Sequence, residues 1–271
     1  MKRQKGFFTI DVEDYHHIIG VSVTPGISQW DGMIPRVEVG LNRRFELMEW
    51  YQVRGTLFFL GYLARRFPET GRRALALGHE MASHGMYHQS VPGMTAERFL
   101  SEARDARLLL EDIAGMEVLG WRSAGFLVDG RSPWYFDQLA EAGYRYDSSL
   151  IPNRMRHKRM LADQIRLGRI GTAAGSIYEF PLSVVPIAGI ETGLFGGVYL
   201  RFCPKGLLDR GGRPGTGEGT ADDLYPSAGN GSGASAIEHE HPAPDQDLWI
   251  PGRRDSEAGD ALGKGGVYHP G

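Results

Sequence analysis

Short apolar runs alternate with helical stretches from Gly6 to Val185, and this alternation limits the fold more than any other feature. Gly6–Glu13 carries Phe7, Phe8, Ile10 and Val12, good strand formers ending in acids. Thr56–Leu60, Glu80–Ala82, Val118–Arg122, Tyr144–Tyr146 and Ile177–Val185 read as five further strands. Between the first two, Arg36–Val53 is predicted helical, with Val37, Leu41, Phe45, Met48 and Trp50 as its apolar stripe and Gly55 as its stop. Gly61–Phe67 is a short helix stopped by Pro68; Glu69–Leu77 resumes the helix and Gly78 ends it. Thr95 opens a helix striped by Phe99, Ala103, Ala106, Leu110 and Ile113, and Ser132-Pro133 starts another over Trp134–Ala142, closed by Gly143. Strand, helix, strand with short connections implies an α/β fold with parallel pairing and right-handed crossovers. In barrels of this kind the chemistry sits at the C-terminal ends of the strands.

At 271 residues the chain is long enough for one large α/β domain or two small ones. A net charge of −3 gives no field that would favour nucleic acid or an anionic membrane. The single cysteine, Cys203, excludes an intrachain disulfide. No apolar run approaches the roughly 20 residues of a membrane span. The basic and briefly apolar start is interrupted by Asp11, well short of a signal-peptide core. A cytoplasmic protein is the expectation.

Two clusters of polar residues coincide with strand ends. GHEMASHGMYH, Gly78 to His88, places His84 and His88 four apart, a spacing that on a helical turn would put both imidazoles on one face, near enough for one metal ion. As a lone pair they are weak evidence, since two exposed or core histidines are the commoner outcome of such a spacing. Asp11-Val12-Glu13-Asp14 closes the first strand, where Asp11 and Glu13 share a face. Acids there are costly to bury unless they work on a cation; the alternative is that Asp11 or Asp14 caps the next turn. Carboxylates with two histidines suit a mononuclear hydrolase site that leaves a position open for water. The irregular stretch Tyr15–Pro35 is of the long-loop kind that carries function or disorder. Its Tyr15 and Trp30 could stack on a sugar ring or seal the core.

Together, TIDVEDYHH, GTLFFLGYLARRFPE, GHEMASHGMYH, GWRSAGF, GYRYDSSLIP and YEFPLS resemble the polysaccharide deacetylase family with the NodB-type homology domain. The likeness runs from about Phe7 to Cys203. DVEDY and YEFPLSVV resemble the branch associated with exosortase-linked exopolysaccharide loci. The resemblance implies a distorted (β/α) barrel that removes acetyl groups from a polysaccharide or oligosaccharide with a divalent metal, usually Zn²⁺. It implies His84, His88 and an acid as ligands. With Val12 between the two acids, Asp11 becomes the general base and Glu13 the ligand, with Asp14 as the alternative. Arg122 resembles the arginine that orients the catalytic aspartate, although it could instead pair with a surface acid. Tyr15, Trp30 and Trp121 are the aromatic residues expected to meet the sugar. Such a metal acidifies water and polarises the acetyl carbonyl, while the base takes the proton.

Two departures from the family pattern stand out. The arginine is followed by Ser123-Ala124-Gly125 where the family has Ala-Pro, so the proline that stiffens the loop is missing. After about Leu208 apolar periodicity stops, and GGRPGTGEGTADD, NGSGASA and EHEHPAPDQD follow. That composition buries too little to offset chain entropy. The expectation is therefore a domain over 1–208, incomplete at its C-terminus, and an irregular Gly/Pro/acid-rich tail over 209–271. His269, in Val267-Tyr268-His269-Pro270, matches in letters the family's leaving-group histidine but lacks flanking strand sequence. The competing readings are a catalytically impaired remnant that still binds metal or glycan, and an amidohydrolase acting on a non-sugar amide.

Overall fold

The computed structural model describes residues 7–19, 23–152, 167–182, 184–187 and 190–193. The expected tail over 209–271, including His269, lies outside the described residues. The elements in chain order are β1 (Thr9–Val12), α1 (Val37–Trp50), β2 (Thr56–Phe59), α2 (Gly61–Arg66), α3 (Pro68–Ala76), β3 (Glu80–Ser83), α4 (Ala96–Ala114), β4 (Gly120–Trp121), α5 (Tyr135–Glu141), β5 (Tyr146–Asp147), β6 (Gly168–Thr172), β7 (Gly175–Glu179), β8 (Val184–Ile187) and β9 (Ile190–Gly193). One seven-stranded sheet runs in the order β1-β2-β3-β4-β5-β7-β6, and β8 pairs with β9 as a separate antiparallel hairpin. The six strands from β1 to β7 are parallel neighbours in that order, and β6 pairs antiparallel to β7.

The sheet is strongly curled. Phe7 precedes β1 and Phe180 follows β7, five strand positions apart, which in a flat sheet would be roughly 24 Å at about 4.8 Å per strand. Their ring centroids lie 5.5 Å apart. Arg122, just past β4, likewise reaches Thr9 on β1, with Nη1 3.0 Å from Oγ1. Residues Phe7, Thr9, Asp11 and Glu13 alternate onto the inner face, so the curl directs the two acids of the first strand inward. The α/β fold is thus a distorted barrel, with helices on the outside.

Helix faces follow the sequence. On α4 the side chains of Phe99, Ala103, Ala106, Leu110 and Ile113 are all buried, Thr95 Oγ1 caps the start by accepting from the Arg98 N–H, and Gly115 ends it at φ +67°. Val37, Leu41, Phe45 and Met48 line the core side of α1. Trp50, expected on that stripe, is 78% exposed, because it follows Met48 by two residues, a rotation of about 200° that turns it away from the core face. As expected, α2 ends before Pro68, which stands at the first turn of α3, where its missing N–H has no helical partner to lose.

Other expectations need correction. The Ser132-Pro133 start lies too early; α5 begins at Tyr135, whose N–H donates to the Ser132 carbonyl in a turn before the helix. The run Ile177–Val185 is not one strand: β7 ends at Glu179, and Phe180-Pro181-Leu182 separate it from β8. Gly168–Thr172, read as no element, forms β6 and folds back on β7 through the turn at Ala173-Ala174. Its two glycines gave no apolar alternation to read.

Candidate metal centre and active site

The barrel brings the chain's acids and histidines to the C-terminal ends of its strands. Glu13 follows β1, and His84 and His88 lie in the loop after β3. One ligand atom from each falls within 4.8 Å of the others. The histidines do not share a helical face, as their spacing first suggested. The loop turns through Gly85 at φ +82° and His88 itself at φ +49°, and this reversal brings the rings to 4.9 Å between centroids. A side chain with a Cβ rarely adopts positive φ, so the loop holds His88 in a conformation it would not choose alone.

Both imidazoles are fixed through the same ring atom. His84 Nδ1 lies 2.8 Å from the Arg122 carbonyl oxygen, and His88 Nδ1 lies 2.7 Å from that of His17. A carbonyl can only accept, so each Nδ1 carries the hydrogen and each Nε2 presents a lone pair. His88 Nε2 faces Glu13 Oε2 at 2.9 Å. It has no aligned hydrogen-bond partner among the described residues. Two acceptors facing each other at that distance need a cation between them. Without metal a proton serves: burial alone would push His88 down, but the Glu13 carboxylate raises it overall. Burial keeps His84 below the usual histidine value, hence neutral and able to donate its lone pair. Glu13 is held below the ordinary glutamate value because the contact with His88 outweighs its burial. Two neutral nitrogen donors and one carboxylate, with carbonyls orienting the rings from behind, fit a divalent ion such as zinc.

Asp11 stands beside this group. Burial would raise its pKa, but the charge of Arg122, the two histidines and the Arg122 hydrogen bond bring it below the usual value, so it is ionised at neutral pH. Arg122 is 4% exposed. Its Nη1 donates to Asp11 Oδ1 at 2.8 Å, its Nε to the Ser148 carbonyl at 2.9 Å and its Nη2 to Ser148 Oγ at 2.8 Å. The guanidinium also lies 4.0 Å from the centroid of the Phe58 ring. Its partner is therefore the half-buried Asp11 and not a surface acid. Through its carbonyl on His84 and its guanidinium on Asp11, Arg122 ties the two halves of the site together.

Three expected residues lie elsewhere. Asp14, the alternative ligand, is a structural anchor: its Oδ1 accepts from the Tyr15 N–H, and its Oδ2 from the Arg36 and Val37 N–H groups at 2.6 and 3.0 Å. It caps the turn at Tyr15–His17 and holds the start of α1, which leaves it no part in the metal group. Trp30 is 4% exposed, packs on His17 and Tyr62 and donates Nε1–H to the Pro25 carbonyl. Trp121 is 3% exposed, packs on Phe99 and Tyr144 and donates to Tyr135 Oη. Neither tryptophan presents a face to a sugar. Tyr15 is 51% exposed, two residues beyond Glu13. Reading the sequence also missed three contributors: the His17 carbonyl behind His88, the Ser148 clamp on Arg122, and the buried acids Asp147 and Glu179. YDSS and YEFP were visible as motifs, but only the strand register brings these side chains together.

Residues 32–146 match the family model for polysaccharide deacetylases. The matched stretch includes His84, His88 and Arg122, and begins after Asp11 and Glu13. A peptidoglycan deacetylase of Helicobacter pylori (strain ATCC 700392 / 26695) is 27% identical over 122 residues, covering 43% of this chain and 39% of that protein. A Mycobacterium smegmatis crystal structure, of a protein assigned as a polysaccharide deacetylase, aligns with a TM-score of 0.52 at 25% identity, covering 68% of this chain and 61% of that one. Puue allantoinase shares the fold, with a TM-score of 0.50 at 16% identity over 77% of this chain and 73% of its own. The matches thus span 39% and 61% of the lengths of the first two relatives.

Proposed function

We propose that this chain carries a polysaccharide deacetylase domain, a metal-dependent hydrolase that removes acetyl groups from a carbohydrate, with Glu13, His84 and His88 holding the metal and Asp11 as general base. The observation that carries the reading is the meeting of two histidine lone pairs, each ring tied from behind by a carbonyl, with one carboxylate, and an ionised aspartate clamped beside them. A divalent cation bound there supplies Lewis acidity, making water a better nucleophile near neutral pH and polarising the scissile carbonyl.

The chain's own residues do the rest. Arg122 occupies Asp11 Oδ1 and leaves Oδ2 to take the proton from the attacking water. The same guanidinium keeps Asp11 ionised when no substrate is bound, so the base is ready without a prior proton loss. The carbonyls of Arg122 and His17 hold the two imidazoles in the tautomer that donates through Nε2. Exposed Tyr15 lies where a sugar ring could stack.

An exopolysaccharide is the substrate class we infer, on the DVEDY and YEFPLSVV motifs, with action in the cytoplasm and zinc as the metal. Among the described residues no helix is long and apolar enough to cross a membrane. The test is release of acetate from acetylated oligosaccharides by zinc-loaded protein, with and without a chelator. Chelator-sensitive release supports the reading. Zinc-loaded protein that releases no acetate from sugars but hydrolyses a non-sugar amide would assign it to the amidohydrolases instead.

A further inference from the structure

Behind Arg122 lies a pair of acids that the deacetylation chemistry does not use. Asp147 ends β5, Glu179 ends β7, and the two are register partners on adjacent parallel strands. Both are 0% exposed. Two carboxylates in contact, out of water, cannot both stay ionised.

The hydrogen bonds around them show where one proton belongs. Asp147 Oδ1 accepts from Tyr135 Oη at 3.1 Å and from Ser149 Oγ, and Glu179 Oε1 accepts from the Leu150 N–H at 3.1 Å. The two remaining oxygens, Asp147 Oδ2 and Glu179 Oε2, are buried and without another partner among the described residues. The two carboxyls lie within hydrogen-bond reach of each other. A single proton between Oδ2 and Oε2 satisfies both atoms and leaves one negative charge on the pair. Burial pushes both carboxyls up, Asp147 to about 6 and Glu179 well above the ordinary glutamate value, while Arg122 pulls both down. The two hydroxyl donors on Asp147 favour it as the charged member, which leaves the proton with Glu179.

From this pair, contacts run to both neighbours of Arg122. Tyr135 Oη, which donates to Asp147, accepts from Trp121 Nε1–H at 3.1 Å, and Ser149 Oγ, also on Asp147, accepts from the Ser123 N–H at 2.8 Å. Ser148, between the two anchored residues, supplies the carbonyl and hydroxyl that hold the guanidinium. We propose that Asp147 and Glu179 form a singly charged, proton-sharing pair that positions Arg122 and, through it, both Asp11 and His84. The inference rests on the proposed roles of Asp11 and His84, but the pair's shared proton and its grip on residues 121–123 can be read without any deacetylation assay.

Two measurements test it. Infrared spectra of metal-free protein at neutral pH should contain a protonated-carboxyl band that Glu179→Gln removes; spectra identical in that region overturn the shared proton. Zinc calorimetry then compares Glu179→Gln with the double variant Asp147→Asn/Glu179→Gln. The first keeps a donor toward Asp147 and the pair's charge, so its zinc affinity stays within about twofold of the parent. The second keeps the shape but removes the charge, and its affinity falls about tenfold, the lower end of what groups behind a ligand contribute. Equal affinities in the two variants, with unchanged unfolding temperatures, overturn the positioning role. If the double variant does not fold, Ser149→Ala, which removes the link from Asp147 to the Ser123 N–H, takes its place in the calorimetry with the same expected fall. Failure of the deacetylase reading would appear separately, as intact zinc binding and an intact carboxyl band in a protein that releases no acetate.

Discussion

Replacing Arg122 with methionine should change both the size and the sign of the stability contributed by Asp11. In the folded protein the guanidinium is 4% exposed and makes four hydrogen bonds, to Asp11, Thr9 and twice to Ser148. Methionine fills much of the same volume over Phe58 but leaves a largely buried carboxylate without its partner. Breaking such a pair from one side costs about 3–5 kcal/mol. The pH dependence identifies the cause. In the parent, Asp11 lies below its ordinary value of 3.8, so its contribution is present above that pH and is lost as the pH falls through the lower folded value. In Arg122→Met burial, the largest influence on Asp11, is opposed only by the weaker effects of His84 and His88, and His84 is neutral. The folded-state pKa then rises above the unfolded one, and the contribution is present in acid and lost as the pH rises. The penalty of the variant should therefore grow from pH 4 to pH 7, by about 1.4 kcal/mol for each unit of separation between the two folded pKa values. Urea unfolding of metal-free parent and variant at several pH values measures this directly. A penalty below about 1 kcal/mol, flat with pH, would mean that the pair behaves as an exposed ion pair and would refute the reasoning.

Other perturbations separate neighbouring residues by role. His84→Ala should remove most bound zinc, since two of three donors remain; stoichiometric zinc in a His84→Ala/His88→Ala double variant would contradict the ligand assignment. Asp14→Ala should lower stability by about 2–4 kcal/mol, because three backbone N–H groups lose a charged acceptor, yet leave zinc stoichiometry at one; loss of zinc would return Asp14 to the ligand set. Gly120→Ala should destabilise by at least about 1–3 kcal/mol, since the new Cβ would stand 2.1 Å from the Tyr146 ring inside the barrel; unchanged thermal unfolding would show that the ring moves freely.

The parallel strands β1, β2 and β3 and the long helix α4 were legible in the sequence because each carries its own signal: an apolar run, a helical stripe, a cap, a glycine stop. The candidate site was legible where chemistry and strand ends coincided, at Asp11, Glu13, His84, His88 and Arg122, which the fold brings together. Even there the spacing of the histidines suggested a helix, and the reason they meet is a loop reversal at Gly85 and His88. Asp14 belongs to the same acidic run as its neighbours, and only its distant contacts with Arg36 and Val37 distinguish anchor from ligand. Trp30 and Trp121 have the composition of a sugar platform and the burial of core residues, and burial is decided by elements far away in sequence. Asp147 and Glu179 are separated by 31 intervening residues and become one unit only through the parallel register of β5 and β7. The edge strand β6 gave no signal, since GRIGT derives its strand conformation from pairing with β7.

The central claim, that Asp11 is the base beside a metal held by Glu13, His84 and His88, is tested most directly by measuring acetate release and zinc content in the same preparation of Asp11→Asn. The account predicts a full complement of zinc and a loss of turnover of about 10²–10⁴-fold, because an amide cannot take the proton of the attacking water. Acetate release at the parent's rate, or zinc lost from Asp11→Asn but kept in Glu13→Gln, would contradict it.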